Sequence, residues 1–186
     1  MNLQNKRVLV VGSGKSGIGA VRMLGKLGAL PVLFDSNEKL DKEELLKKTG
    51  KIPGMEILLG SVPKERKKEF FLVVISPGVP VDAPWLSDYR ALNIPIWGEI
   101  ELAGAYAKGK VIGITGTNGK TTTTTLVGQI MAAYYESVYV VGNIGNPYTD
   151  IALDTREDTV TVAEISSFQL ETIHEFRPAV SAILNI

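Results

Sequence analysis

The chain has no cysteine, which excludes a disulfide framework and a thiolate metal site. It has a single histidine. His174 sits in Glu-Thr-Ile-His-Glu-Phe without neighbours at metal-ligand spacing, and is expected to be solvated near a helix C-terminus. An excess of one charge is missing as well. Twenty Lys+Arg against twenty Asp+Glu leave zero net charge, which removes any sequence-wide attraction to DNA, RNA or anionic lipid and points to a small-molecule partner. No apolar run approaches the roughly eighteen residues of a membrane span. Met1 to Arg7 leads straight into Val8-Leu9-Val10-Val11, not into a signal-peptide hydrophobic region. A cytoplasmic location without membrane contact is expected. Internal repeats are absent, and low complexity is confined to the threonine run 121–125.

The 186 residues are 45% hydrophobic, enough to bury the core of one large domain or two small ones. Short apolar runs bounded by Gly, Pro or Asp alternate with longer amphipathic stretches, the pattern of βαβ units around parallel sheets buried on both faces. Strands are predicted at 8–11, 31–34, 55–58, 72–75 and 94–97, with helices at 16–27, 41–48, 63–68 and 84–92. Pro63 and Pro84 suit a first helical turn. The mixed-charge stretch 64–69 reads as a solvated helix. A connecting helix at 99–108 and the polar break Lys108-Gly109-Lys110 introduce a second series: strand 111–115, helix 120–135, strands 138–141 and 159–165, helix 168–176 and strand 179–184. The boundary falls near Gly98, giving units 1–97 and 98–186. Tyr134, Tyr135 and Tyr139 are expected to pack in the core and at edges. The chain stops after a strand, where the functional loops of open α/β sheets begin, so a truncated second unit is expected.

The strongest motif follows strand 111–115. Gly116-Thr117-Asn118-Gly119-Lys120-Thr121-Thr122 joins a strand to a helix, an arrangement in which backbone N–H groups and a helix N-terminus surround phosphate oxygens. Lysine adds a point charge and the threonine hydroxyl a Mg²⁺ ligand. The strict spacing of the phosphate-loop motif would put a glycine at Ile114; this chain has Gly113 and Gly116 instead, so the loop is a variant. The bland alternative is a glycine-rich turn capping an ordinary helix. Glu164 ends a central strand near this loop, where a hard cation finds an oxygen ligand. It could also be a helix N-cap neighbour favoured by the macrodipole.

A second glycine loop, Gly12-Ser13-Gly14-Lys15-Ser16-Gly17, follows the first strand and opens a helix, and Asp35 ends the second strand about twenty residues on, as in the dinucleotide fingerprint. Alone it suggests NAD. Beside a phosphate loop it reads more generally, as close approach of backbone to a nucleotide pyrophosphate or to a facing strand. Asp35 could equally be a turn residue bonding its own backbone.

Four further segments join these loops: Ser76-Pro77-Gly78-Val79, Gly142-Asn143-Ile144-Gly145, the run from Glu164 through Ile165-Ser166-Ser167-Phe168-Gln169-Leu170-Glu171, and Ala182-Ile183-Leu184-Asn185. Together they resemble the Mur ligases, over the whole chain. The Ser-Ser-Phe-Gln-Leu-Glu run and the Gly-Asn-Ile-Gly loop are most similar to the branch that adds D-glutamate to UDP-N-acetylmuramoyl-L-alanine in peptidoglycan synthesis.

The resemblance implies an α/β architecture: a Rossmann-like parallel-sheet domain that binds the UDP substrate, then a truncated P-loop domain. It implies ATP and Mg²⁺ and two-step amide formation through an acyl phosphate; a monomer is expected. Lys120 would bind the β/γ-phosphates, Thr121 and Glu164 would ligate Mg²⁺, and Lys120 and Glu164 would be catalytic. Ser13, Gly14, Lys15, Ser16, Gly17, Asp35, Ser36, Asn37, Ser76, Pro77 and Gly78 would meet the UDP moiety, with Asn143 and Ser166 toward the substrate. The family's metal-binding histidine, its carbamate-carrying lysine and its C-terminal domain would lie beyond Ile186, so the chain alone is expected not to turn over. The rival readings are an NAD-dependent oxidoreductase and a non-catalytic nucleotide-binding module.

Overall fold

The computed structural model describes every residue except Ile144 and divides into two compact units, Met1–Glu99 and Ile100–Ile186. The first contains β1 (Arg7–Val11), α1 (Lys15–Lys26), β2 (Leu30–Asp35), α2 (Lys42–Thr49), β3 (Glu56–Leu59), β4 (Leu72–Ile75), α3 (Ser87–Ala91) and β5 (Ile96–Gly98). The strands run parallel in the order β3-β2-β1-β4-β5. Val8 to Val11 and Leu72 to Ile75 are buried throughout, because strands covered on both faces have no solvent side to alternate toward. On one face Leu9, Val11, Val32, Phe34, Val73 and Ile75 pack with Phe70, Leu86 and Tyr89. Helix α1 buries Ile18, Val21, Met23 and Leu24.

The predicted helix at 63–68 is instead a 3-10 turn, Lys64–Glu69, that buries no residue. Six residues without an apolar face cannot sustain an α-helix. Its charges pair instead: Arg66 and Arg7 both donate to Glu56, at 2.8 and 2.7 Å. The predicted helix at 84–92 divides into a 3-10 turn, Pro84–Leu86, and α3.

The second unit contains most of α4 (Glu99–Gly104), then β6 (Lys110–Thr115), α5 (Lys120–Ala132), β7 (Val138–Gly142), α6 (Tyr148–Ile151), β8 (Val160–Glu164), α7 (Ser167–Leu170) and β9 (Val180–Ile183). Its parallel sheet runs β7-β8-β6-β9. Ile114, Val160 and Val162 form the core under Val127 and Met131. The predicted connecting helix stops at Gly104, where a Cβ would stand 2.4 Å from the Phe176 ring. Helix α5 ends at Ala132, leaving Tyr134 and Tyr135 exposed rather than packed. Helix α6, absent from the sequence reading, buries Tyr148.

The predicted helix at 168–176 shrinks to the single turn α7. The N–H groups of His174, Glu175 and Phe176 donate not to helix carbonyls but to the buried carboxylate of Glu101, at 2.9, 2.9 and 3.1 Å. Three consecutive amides around one carboxylate are incompatible with continuing the helix. His174 therefore lies in an exposed loop rather than near a helix end. Among the described residues no helix is long and apolar enough to cross a membrane.

Candidate functional site

In the second unit β6 lies between β8 and β9 and delivers the glycine loop to the N-terminus of α5. Gly116 and Gly119 adopt φ of +137° and +81°, left-handed backbone that favours glycine. Gly119 caps α5 without a side-chain bond, and the first turn carries no acidic residue. Its leading N–H groups therefore have neither an intrahelical acceptor nor a capping oxygen. Lys120 folds over the loop, donating from Nζ to Gly116 O at 2.7 Å and Thr117 O at 3.0 Å. A helix N-terminus and an ammonium on one loop make a site for an anion.

Beside it stands Glu164, at the end of β8 and 1% exposed. Sheet register aligns Ile114 and Gly142 with Glu164 from the two flanking strands. Thr121 Oγ1 donates to Glu164 Oε2 at 2.9 Å and Asn143 Nδ2 donates to Oε1 at 3.0 Å. Asn143 N–H also donates to the Glu164 carbonyl at 3.0 Å. Gly142 permits this approach, because a Cβ there would lie 2.1 Å from Glu164 O. Ile144 of the Gly-Asn-Ile-Gly loop lies outside the described residues. Ser166 caps α7 in a reciprocal capping box with Gln169, so its hydroxyl already serves the fold. Glu101 is a residue that sequence reasoning missed, because its three amide partners lie 73 to 75 positions away and nothing local marks it.

In the first unit the glycine loop, Asp35 and Ser76 gather at the carboxyl ends of β1, β2 and β4, where the strand order reverses. Open α/β sheets bind ligands at such switch points. Ser13 donates to Asp35 Oδ2 through both N–H, at 2.9 Å, and Oγ, at 2.6 Å, while Asn37 N–H donates to Oδ1 at 3.0 Å. Burial pushes the Asp35 carboxyl up, but the bonds from the Ser13 hydroxyl and the Asn37 and Ser13 amides outweigh it and leave it below the ordinary carboxylate value. Gly12 has φ +94°, and a Cβ on it would stand 2.8 Å from Ser76 Oγ. A Cβ on Gly17 would collide with Gly12 O at 1.8 Å, whereas one on Gly14 would meet nothing within 4 Å. Gly14 thus faces open space. Lys15, Ser36, Asn37 and Gly78 are exposed, and Ser16 and Pro77 half-buried.

Two parallel-sheet units in series, one Rossmann-like and one with phosphate-loop geometry, define a class of α/β protein whose glycine loops open at the carboxyl edges of their sheets. Within that class, residues 6–98 match the Mur ligase MurD-like N-terminal domain and residues 114–186 the Mur ligase middle domain, and the chain belongs to the Mur ligase family. It is 60% identical to a UDP-N-acetylmuramoylalanine--D-glutamate ligase of Lachnospira eligens and 56% identical to one of Lachnoclostridium phytofermentans. Each alignment takes in 100% of this chain and 41% of the relative, so the chain spans about two fifths of the length of the curated relatives it matches. Among solved structures it resembles the UDP-N-acetylmuramate:L-alanyl-gamma-D-glutamyl-meso-diaminopimelate ligase of Neisseria meningitides, with TM-score 0.58 and 16% identity over 97% of this chain and 60% of that one. A murein peptide ligase of Psychrobacter arcticus gives TM-score 0.53 and 18% identity, over 87% and 37%. Both likenesses are of fold.

Proposed function

We propose that the chain carries the UDP-substrate and ATP-binding parts of a cytoplasmic, ATP-dependent amide ligase that adds D-glutamate to UDP-N-acetylmuramoyl-L-alanine. The observation that carries this reading is the convergence of Lys120, Thr121, Glu164 and Asn143 on one glycine loop; the relatives' shared name supports the substrates. Loop amides and Lys120 would hold the β- and γ-phosphates. Thr121 and Glu164 offer a hydroxyl and a carboxylate, a hard oxygen pair that fits Mg²⁺, which keeps water and phosphate oxygens in most of its positions. No group of three or more His, Cys, Asp or Glu suited to a metal occurs among the described residues; Thr121 and Glu164 are the oxygens this reading assigns to the cation. Bound there, Mg²⁺ would neutralise charge on the phosphates. Asn143 fixes the Glu164 carboxylate from its second oxygen. Phosphoryl transfer asks mainly for positioning and charge neutralisation. Transfer of the γ-phosphoryl group to the substrate carboxylate, with release of ADP, and attack of the D-glutamate amine on the resulting acyl phosphate, with release of inorganic phosphate, complete the proposed reaction.

In the first unit, backbone amides of 14–17 and the hydroxyls of Ser16 and Ser76 suit a pyrophosphate, and Ser36 and Asn37 lie at the next strand end. Asp35 accepts three bonds from Ser13 and Asn37, so it ties the loop to the end of β2 and keeps an acceptor position on Oδ1 for a ligand. Calorimetric titration with UDP-N-acetylmuramoyl-L-alanine, UDP and NADH tests this reading. Saturable binding of the two UDP ligands, lost in Gly14→Val, is expected. Binding of NADH alone would transfer the reading to an oxidoreductase.

A further inference from the structure

The exit of β9 approaches the phosphate loop more closely than strand pairing requires. Leu184 N–H donates to Thr115 O at 3.0 Å, extending the β6–β9 ladder. One residue on, Asn185 Oδ1 accepts from the N–H groups of Thr117 at 3.0 Å and Asn118 at 2.9 Å, and Nδ2 donates to Asn118 O at 3.0 Å. The Asn185 carbonyl shares the Thr117 N–H at 3.3 Å. Gly116 makes room for this, since a Cβ there would stand 3.1 Å from both N and O of Asn185.

We propose that Asn185 is a positioning residue for the phosphate loop. It engages the N–H groups of Thr117 and Asn118 and the Asn118 carbonyl, fixing the first half of the loop so that the amides from Gly119 onward and the Lys120 ammonium are left for the phosphates. This rests on the nucleotide reading above. Ordering a glycine-rich loop at the moment of binding costs affinity, and a loop already tied down avoids that cost. A primary amide suits the task because it accepts two N–H bonds on its oxygen and returns one from its nitrogen. It also brings no negative charge to a site built for an anion. Aspartate could accept the same two bonds but could not return the third, and its charge would oppose phosphate.

The test is titration of the chain, Asn185→Ala and Asn185→Asp with Mg·ATP, Mg·ADP and AMP, together with hydrogen exchange at the Thr117 and Asn118 amides. Asn185→Ala should weaken ATP and ADP alike, roughly tenfold for the lost bonds, leave AMP unaffected, and speed exchange at both amides. Asn185 is exposed, so the thermal midpoint should not move. Asn185→Asp should keep both amides protected yet lose ATP affinity. Unchanged ATP affinity in Asn185→Ala overturns the proposal whatever the exchange rates do. Tighter binding overturns it too, since Asn185 would then compete with phosphate for the same amides. If the unaltered chain takes up no Mg·ATP, the nucleotide reading itself fails and this proposal with it.

Discussion

Thr121 Oγ1 donates to Glu164 Oε2 at 2.9 Å across forty-three residues of sequence. Helix α5 starts at the end of β6, β6 pairs with β8, and Glu164 is the last residue of β8. Parallel pairing therefore places a hydroxyl at a helix start against a carboxylate at a neighbouring strand end. Asn143, at the end of β7, holds the second oxygen.

Because Asn143 orients the carboxylate and does not supply its charge, Asn143→Ala should lower Mg²⁺-dependent nucleotide affinity by roughly 10–100-fold, the usual effect of removing a partner that orients a ligand. Glu164→Gln should do at least as much while leaving metal-free nucleotide binding intact. Titrations with Mg²⁺ and with a chelator separate the two contributions. Equal losses in both conditions would show that Glu164 acts only on the fold.

Gly14 and Gly17 should respond in opposite ways. A side chain at Gly14 meets open space, and one at Gly17 meets Gly12 O at 1.8 Å. Gly14→Val should keep the thermal midpoint and lose the UDP ligands, whereas Gly17→Ala should destabilise by about 3 kcal/mol through forced backbone movement. Unfolding curves of the two variants decide it.

Asp35 gives the first unit an acid dependence. Its folded pKa lies below the unfolded value of 3.8, so its contribution is present above that value and is lost as pH falls through the folded pKa. Asp35→Asn should therefore cost about 1–2 kcal/mol at neutral pH, as for bonds to a charged group near the surface, and the difference from the unaltered chain should close below pH 3.8. Chemical unfolding at several pH values measures this. A gap that persists in acid would contradict it.

Glu101 should be the most costly single carboxylate in the second unit. Glu101→Ala removes the shared acceptor of the His174, Glu175 and Phe176 amides, and about 3 kcal/mol is expected from the loss of three bonds to a buried carboxylate. Faster hydrogen exchange confined first to 174–176 would mark the cause; loss spread evenly over the sheet would not.

The strands and the phosphate loop were legible because their signals are local. Runs such as Leu72 to Ile75 read as buried strands, and Gly-Lys-Thr after a strand carries its geometry within a few residues. What escaped reading depends on distant partners. Glu101 reaches residues 73 to 75 positions away and captures the amides of a segment predicted to stay helical through 176. Asn185 reaches the loop over 67 and 68 positions. At 64–69 the sequence looked helical by composition, but nothing apolar faces inward to hold a helix there. Ser166 stood among the candidate substrate residues on resemblance, and its hydroxyl serves a capping box with Gln169.

The central claim is that the loop around Lys120 grips a nucleoside triphosphate. Calorimetric titration of the chain and of Lys120→Ala with Mg·ATP tests it most directly. Saturable binding that Lys120→Ala abolishes, and that Lys120→Arg does not restore because a planar guanidinium cannot take the ammonium's place, is the expected result. Binding of equal strength with and without Lys120, or no binding by the unaltered chain, would contradict the account.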